Sequence, residues 1–324
     1  MAERSAADRL NELIDAMIAR PDAPLSGVDL EVAPLLDIAA ELRELPSPEF
    51  RQRLKADLQR RTEMNATTVS PIREGFHTLT PYVMVRQAAE LIDFVRQAFG
   101  AEEKFRAIGP AGGIHCEVRI GDSMLMLGGG GAWQGTPTPT AFHYYVPDAD
   151  QAYERALRYG ATSLTGLMED YGDRFACVKD AAGNEWYIST HLGSRYVPEG
   201  LRDVTIYLHP AGAPKLIEFL KQAFDAEEVA RYDSADGVVQ HAKIRIGDSM
   251  IEMGEAHGQW QPMPTAIYMY VPDADAIYRR AMEAGAISLW APTDQPYGDR
   301  NAGIQDAFGN QWFIATHTKD VAMG

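Results

Sequence analysis

Apolar and polar positions between residues 79 and 320 change their period in a regular order. Leu79, Val83 and Val85 follow the two-residue alternation of a strand. Ala88, Leu91, Ile92, Val95 and Phe99 then recur at helical spacing until Gly100. Short strands are predicted over residues 104–108, 114–120 and 123–127, the last two joined by the hairpin dipeptide Gly121-Asp122. A second unit opens with a strand over 141–146. Asp148 is placed to cap a helix that runs through Gln151 to Gly160, and strands follow near 163–167, 175–180 and 185–189. The pattern is βαβββ, twice over.

The whole succession then returns, with helices predicted over 216–224 and 274–284, and the wording returns with it. QAFGAEE at Gln97 reappears as QAFDAEE at Gln222, IGDSM at Ile120 and again at Ile246, YGDR at Tyr171 and Tyr297, and PDAD at Pro147 and Pro272. Blocks that keep their order over such a distance define a repeat the size of a small domain, far longer than a solenoid unit. Residues 76–192 and 200–320 are therefore expected to be two modules, with 193–199 as the connector. Residues 1–62 read as a helical leader: Ser5 opens a helix whose face is Leu10, Leu13, Ile14, Met17 and Ile18, a second spans 32–45, and Ser47-Pro48-Glu49 begins a third carrying Phe50, Leu54 and Leu58. Residues 63–75 read as a linker. Such a leader is too small to promise a core of its own, so three uses stand open: packing on a module, homodimerisation, or binding a protein partner.

Composition narrows the class. With 324 residues and 46% hydrophobic content the chain can bury a sizeable core, and it contains no apolar run of the roughly 18 residues a membrane span needs, so a cytoplasmic soluble protein is expected. A formal net charge of −16 argues against nucleic acid or an anionic membrane as partner and suits a neutral or cationic small molecule. Cys116 and Cys177 have Ala242 and Gly303 as counterparts, which speaks against a disulfide framework or a thiolate zinc site. The run Gly128 to Gly131 lacks the Lys-Ser/Thr of a phosphate loop and reads as a flexible loop.

Strand alternation places His115, Glu117 and Arg119 on one face and Cys116, Val118 and Ile120 on the other. His115 and His241 occupy equivalent positions and suit either a general base or a hydrogen-bonded strand histidine. Glu252 and Asp203 suit a proton-abstracting pair or an acidic lining. Asp173-Arg174 and Asp299-Arg300 read as ion pairs or loop latches, and Gly183-Asn184 and Gly309-Asn310 as turns.

Paired βαβββ units with these local sequences (His115 and His241 before R-I-G-D-S-M, then YGDR, then D-x-x-G-N-x-W and Thr-His) resemble the vicinal-oxygen-chelate superfamily of glyoxalases, bleomycin-resistance proteins and dioxygenases, in its PhnB-like branch. The resemblance implies an α+β fold of tandem glyoxalase-like modules, each of two βαβββ units, with cup-shaped mixed sheets. It also implies four metal-ligand positions per cup. Carried over, these fall on Thr80, Met126, Ala141 and Tyr187 in the first repeat and on Asp203, Glu252, Ala266 and Phe313 in the second. Whether units pair within or across repeats, at most two ligating side chains meet, so no metal or other cofactor is expected. The cups should instead be lined by Tyr82, His143, Tyr145 and Tyr187, and by Tyr207, Tyr268, Tyr270 and Phe313, with Glu117 and Arg119 adding polar contacts and Trp133 and Trp260 as flaps. The expected function is metal-free binding of a small hydrophobic or cationic aromatic molecule. A metal-dependent lyase, isomerase or dioxygenase using His241, Asp203 and Glu252 is the alternative, and an inert partner-binding protein is a second.

Overall fold

The computed structural model describes residues 69–109 and 112–321, together with the single helical position Ala16. The chain divides into two compact units, Met1–Thr68 and Val69–Gly324. Apart from Ala16, the three leader helices expected from sequence thus lie outside the described residues, and the boundary falls within the expected linker.

The first repeat contains β1 (Leu79–Val85), α1 (Ala88–Phe99), β2 (Glu102–Ile108), β3 (Ile114–Ile120) and β4 (Ser123–Gly129), followed by β5 (Ala141–Tyr145), α2 (Ala149–Arg158), β6 (Thr162–Ser163), β7 (Met168–Asp170), β8 (Asp173–Lys179) and β9 (Glu185–His191). The second contains β10 (Val204–Leu208), α3 (Ala213–Phe224), β11 (Glu227–Asp233), β12 (Val239–Ile246) and β13 (Ser249–Met253), then β14 (Ala266–Tyr270), α4 (Ala274–Glu283), β15 (Ile287–Asp294), β16 (Asp299–Gln305) and β17 (Gln311–His317). Asp148 and Asp273 cap α2 and α4 by accepting from the backbone N–H three residues on. The strand expected over 163–167 is interrupted. Leu164 and Thr165 both donate to the Cys177 carbonyl, a local irregularity that separates β6 from β7, whereas its counterpart β15 is continuous.

The units pair across the repeats. An eight-stranded sheet runs β15-β16-β17-β14-β1-β4-β3-β2, and a nine-stranded sheet has the path β11-β12-β13-β10-β5-β9-β8-β6, with β7 paired to β8. Each sheet therefore takes its first unit from one repeat and its second from the other. The seams are the antiparallel pairs β1 with β14 and β10 with β5.

The hydrophobic cores divide the other way. Leu91, Ile92, Val95, Cys116, Val118, Leu125, Phe142, Trp186 and Ile188 form one buried cluster within the first repeat, and Leu216, Ile217, Leu220, Ile244, Ile251, Ile267, Trp312 and Ile314 form another within the second. Apart from Leu79, which joins the second cluster, and Val204, which joins the first, cores belong to repeats, while the helix-free sheet faces, the cups, belong to pairs of repeats.

Two repeated motifs hold this arrangement. At the β3–β4 turn, Asp122 N–H donates to Asp203 Oδ2 at 3.1 Å, Asp203 N–H donates to Asp122 Oδ1 at 3.0 Å, and Val204 N–H donates to Ser123 Oγ at 3.0 Å. The β12–β13 turn does the same in reverse, with Thr78 N–H on Asp248 and Leu79 N–H on Ser249 Oγ. The Gly-Asp-Ser of each repeat is thus a clasp on the first strand of the other. In D-x-x-G-N-x-W, Asp180 accepts from Ala182 and Asn184 backbone, Asn184 Nδ2 and Trp186 Nε1, and Asp306 repeats all four contacts with Phe308, Asn310 and Trp312. The turn glycines Gly183 and Gly309 have φ of 95° and 86°, as that motif requires.

Candidate functional site

Register fixes what meets at the middle of each cup. Tyr82 pairs with Met126 and Tyr268 with Phe313 in the first, while Tyr207 pairs with Glu252 and His143 with Tyr187 in the second. The positions carried over on Met126, Tyr187, Glu252 and Phe313 are central. Thr80 stands directly opposite Tyr268 and Ala141 opposite Tyr207 across the seams, so these carried-over positions lie level with the central pairs, but Ala141 and Ala266 have no ligating side chain. Asp203 is a correction of another kind. It precedes β10 and is occupied by Asp122 and by the Tyr196 hydroxyl at 2.9 Å, so it makes no pair with Glu252.

The first cup is filled by its own side chains. Met124, Met126, Tyr268, Tyr270, Phe313 and Phe76 form a buried cluster, against which Tyr82 and Met84 pack. The Tyr268 and Tyr270 hydroxyls both donate to Asp299 Oδ2, at 2.7 and 3.0 Å, and His317 Nδ1 lies 2.8 Å from Oδ1. Sequence reasoning missed Arg73, which it left in the linker. Its guanidinium lies 4.1 Å above the Phe76 ring and bonds Glu117. Burial works to raise the Glu117 carboxyl, but His115 and Arg73 outweigh it and hold it below its ordinary value. Arg119, expected beside Glu117 as a ligand contact, is instead exposed and paired with Glu102 at 2.8 Å. Trp133 packs on its own loop at Gly135, and among the described residues no ring contact joins it to the cup.

The second cup is polar where the first is apolar. Glu252, His143, Ser189 and His209 stand where register-equivalent positions carry Met126, Tyr268, Ala315 and Met84. His143 Nδ1 is 2.8 Å from Glu252 Oε2 and Nε2 is 2.8 Å from Ser189 Oγ, while His241 Nε2 lies 3.2 Å from Glu252 Oε1. Lys243 Nζ is 3.7 Å from the same oxygen. Glu252 is 1% exposed. Burial alone would raise its carboxyl, and the two histidines reverse this so that it stays ionised.

Above this floor, Tyr187 and Tyr207 lie 5.1 Å apart, Trp260 is 5.3 Å from Tyr187, and Trp260 stacks on His209 at 5.8 Å with 5° between planes. His209 Nε2 is 3.0 Å from the Tyr187 hydroxyl. Burial pushes His209 down to about 4, leaving the ring neutral, and its Nδ1 has no partner among the described residues. Trp260 is thus the aromatic cover of this cup. Tyr145 stacks on His143 and lines the inner wall.

The Asp-Arg dipeptides of YGDR split between two faces. Asp173 turns inward to His191 Nδ1 at 2.7 Å, while Arg174 turns outward and clamps Asp150 on α2. Arg300 clamps Asp275 on α4 in the same way. The latch is real, but its partner is the helix and not the neighbouring aspartate.

In both cups the carboxylates are held by other side chains, Glu117 by Arg73, Asp299 by Tyr268 and Glu252 by His143. In the second, the His143 and His241 nitrogens address different oxygens of one carboxylate, Ser189 holds the far side of His143, and the Lys243 ammonium sits beside the donors. Among the described residues, no group of three His, Cys, Asp or Glu side chains is arranged to hold a metal. Nor is any described helix long and apolar enough to cross a membrane.

Residues 211–314 match the family model of the Glyoxalase/Bleomycin resistance protein/Dioxygenase superfamily. An uncharacterized protein of Mycobacterium bovis is 31% identical over 139 residues, which cover 37% of this chain and 91% of that protein. Glyoxalase I from Zea mays superposes with a TM-score of 0.56 at 14% identity, over 73% of this chain and 92% of the maize chain. A candidate dioxygenase from Bacillus subtilis gives 0.51 at 16% identity, over 74% and 85%. These likenesses to solved structures concern the fold. The chain thus carries a domain of the glyoxalase/bleomycin resistance protein/dioxygenase superfamily at residues 211–314.

Proposed function

We propose that this chain binds one small, flat, hydrophobic molecule in the second cup, without a metal, and that the first cup is a structural counterpart. One observation carries the reading: the aromatic group of Tyr187, Tyr207 and Trp260 stands over a polar floor in the second cup, whereas the equivalent space in the first is packed by Met126, Tyr268 and Phe313. Rings at such spacings supply stacking surface for a planar ligand, and partly exposed Tyr187, Tyr207 and Trp260 leave part of that surface free. A cationic ligand, which the overall charge suits, is disfavoured at this floor because His143, His241 and Lys243 already surround Glu252. We further propose a PhnB-like affinity and a cytoplasmic setting for this sequestering protein.

Titration of the full chain with a panel of planar aromatic compounds, followed by tryptophan fluorescence, tests the reading. Saturable quenching at one site per chain, abolished in Trp260→Phe and retained in Trp133→Phe, is expected. Absence of quenching and of any thermal shift across the panel rejects it.

A further inference from the structure

The two repeats place a histidine at the same strand position with a carboxylate behind it, yet use the rings differently. In the first cup both nitrogens of His115 are engaged, Nε2 at 3.3 Å from Glu117 Oε1 and Nδ1 at 3.0 Å from the Tyr82 hydroxyl. In the second, His241 Nε2 lies 3.2 Å from Glu252 Oε1, and no described residue bonds its Nδ1. Tyr207, the counterpart of Tyr82, stacks against the His241 ring at 6.2 Å instead of bonding its edge. The His241 side chain is 29% exposed and Glu252 1%. A buried carboxylate on one ring nitrogen with the other left open is the arrangement of an oriented general base.

The groups facing this ring define what it can act on. Glu252 on β13 lies behind it, Lys243 follows two residues on along β12, Tyr207 on β10 and Tyr232 on β11 stack against it, and His143 on β5 shares Glu252. Aromatic surface around an open imidazole nitrogen, with the Lys243 ammonium near the same carboxylate, suits a planar molecule that becomes an anion on losing a proton.

We propose that the second cup is a proton-transfer site for flat phenols or enols, in which His241, oriented by Glu252, takes the acidic proton of the bound molecule. The inference rests on the binding reading above and names its ligand class. In the step, the ligand O–H bond breaks and an N–H bond forms at His241 Nδ1. The electron pair stays on the ligand oxygen, where the new imidazolium balances it, and the Nε2 proton stays on the ring, donated to Glu252. Nothing is oxidised or reduced.

4-Nitrophenol is a suitable probe, because its phenol and phenolate absorb at different wavelengths. With the full chain, at a pH below the ionisation of the free probe, the bound probe should absorb as phenolate, saturating in step with Trp260 quenching. His241→Gln should bind within about threefold of wild type but form about tenfold less phenolate, and His241→Asn should agree with it. His115→Gln should leave the signal intact. Quenching without a phenolate band overturns the inference and leaves the binding reading standing. A phenolate band lost in Lys243→Met but kept in His241→Gln also overturns it, since the ammonium alone would then be responsible. If 4-nitrophenol fails to quench while non-acidic planar compounds do, the ligand class is wrong and the inference falls alone. If nothing quenches, both fall.

Discussion

His143 of the first repeat sets its Nδ1 2.8 Å from Glu252 Oε2 of the second, so the most buried charged contact of the second cup is also a contact between repeats. Neither repeat can assemble it alone. The polar floor is consequently a property of the pairing of units, and its chemistry and stability are joined.

Glu252→Gln should therefore lower stability as well as alter the site. The substitution replaces charge-assisted hydrogen bonds from two histidines by weaker ones, at a cost of about 1–3 kcal/mol in denaturant unfolding. The pH dependence has a defined sign. Because the folded-state value of Glu252 lies below its ordinary 4.5, its contribution is complete above that pH and disappears as pH falls through the folded value. The gap between wild type and variant should be level from neutrality to about pH 5 and shrink in stronger acid. A gap that widens on acidification would contradict the ion-pair geometry.

The cross-repeat clasp predicts a position-dependent glycine effect. Gly121 and Gly100 both have positive φ, 56° and 70°, so alanine strains the backbone at either. Only at Gly121 would the new Cβ also meet a neighbour, landing 1.7 Å from Asp203 Oδ2, whereas at Gly100 nothing lies within 4 Å. Gly100→Ala should cost about 1 kcal/mol, and Gly121→Ala clearly more, with loss of the Asp122–Asp203 contacts. Equal costs in urea unfolding would mean that the clasp yields without effect.

Much of this architecture was legible in residue order. The spacing of Leu91, Ile92 and Val95 marked α1, Asp148 marked the start of α2, and the recurrence of IGDSM and YGDR marked the repeat, because helix periodicity, caps and turns are local properties. The partner of β1 was not legible. Both β5 and β14 carry nearly the same alternation, so local pattern could not choose between pairing within a repeat and pairing across them. The same limit explains the misplaced Asp203, since a shift of a few residues along a strand keeps the face and changes only the register. Arg73 was missed because a single cation in a polar stretch carries no periodic signal. The exposure of Arg119 follows from its place at the strand end, which alternation does not report.

The Asp306 turn should be more sensitive than its polarity suggests. Four donors converge on this 3% exposed carboxylate, among them Trp312 Nε1 at 3.0 Å, and Trp312 is itself fully buried. Asp306→Ala strands these donors in the core and should cost about 3–5 kcal/mol, more than any surface carboxylate exchange such as Asp236→Ala. Thermal unfolding that separates the two variants by only a degree or so would show that water replaces the lost acceptor.

Separation of the repeats provides the sharpest test of the pairing. Each repeat keeps its own buried cluster, Trp186 with Phe142 in one and Trp312 with Ile267 in the other, so residues 69–199 and 200–321 made separately should retain secondary structure. Each would nevertheless expose two seam strands, β1 and β5 or β10 and β14, whose partners lie in the other half. The isolated halves should self-associate, since the second repeat can pair its β10 with β14 of another copy. Mixed in equal amounts after unfolding and refolding, they should form a one-to-one complex that regains binding at Trp260. A self-associated second repeat has no His143 to meet Glu252, so it should bind the planar ligand weakly or not at all. Full binding by the second repeat alone would refute the cross-repeat construction of the site, because every contact from His143, Ser189 and Tyr187 would then be dispensable.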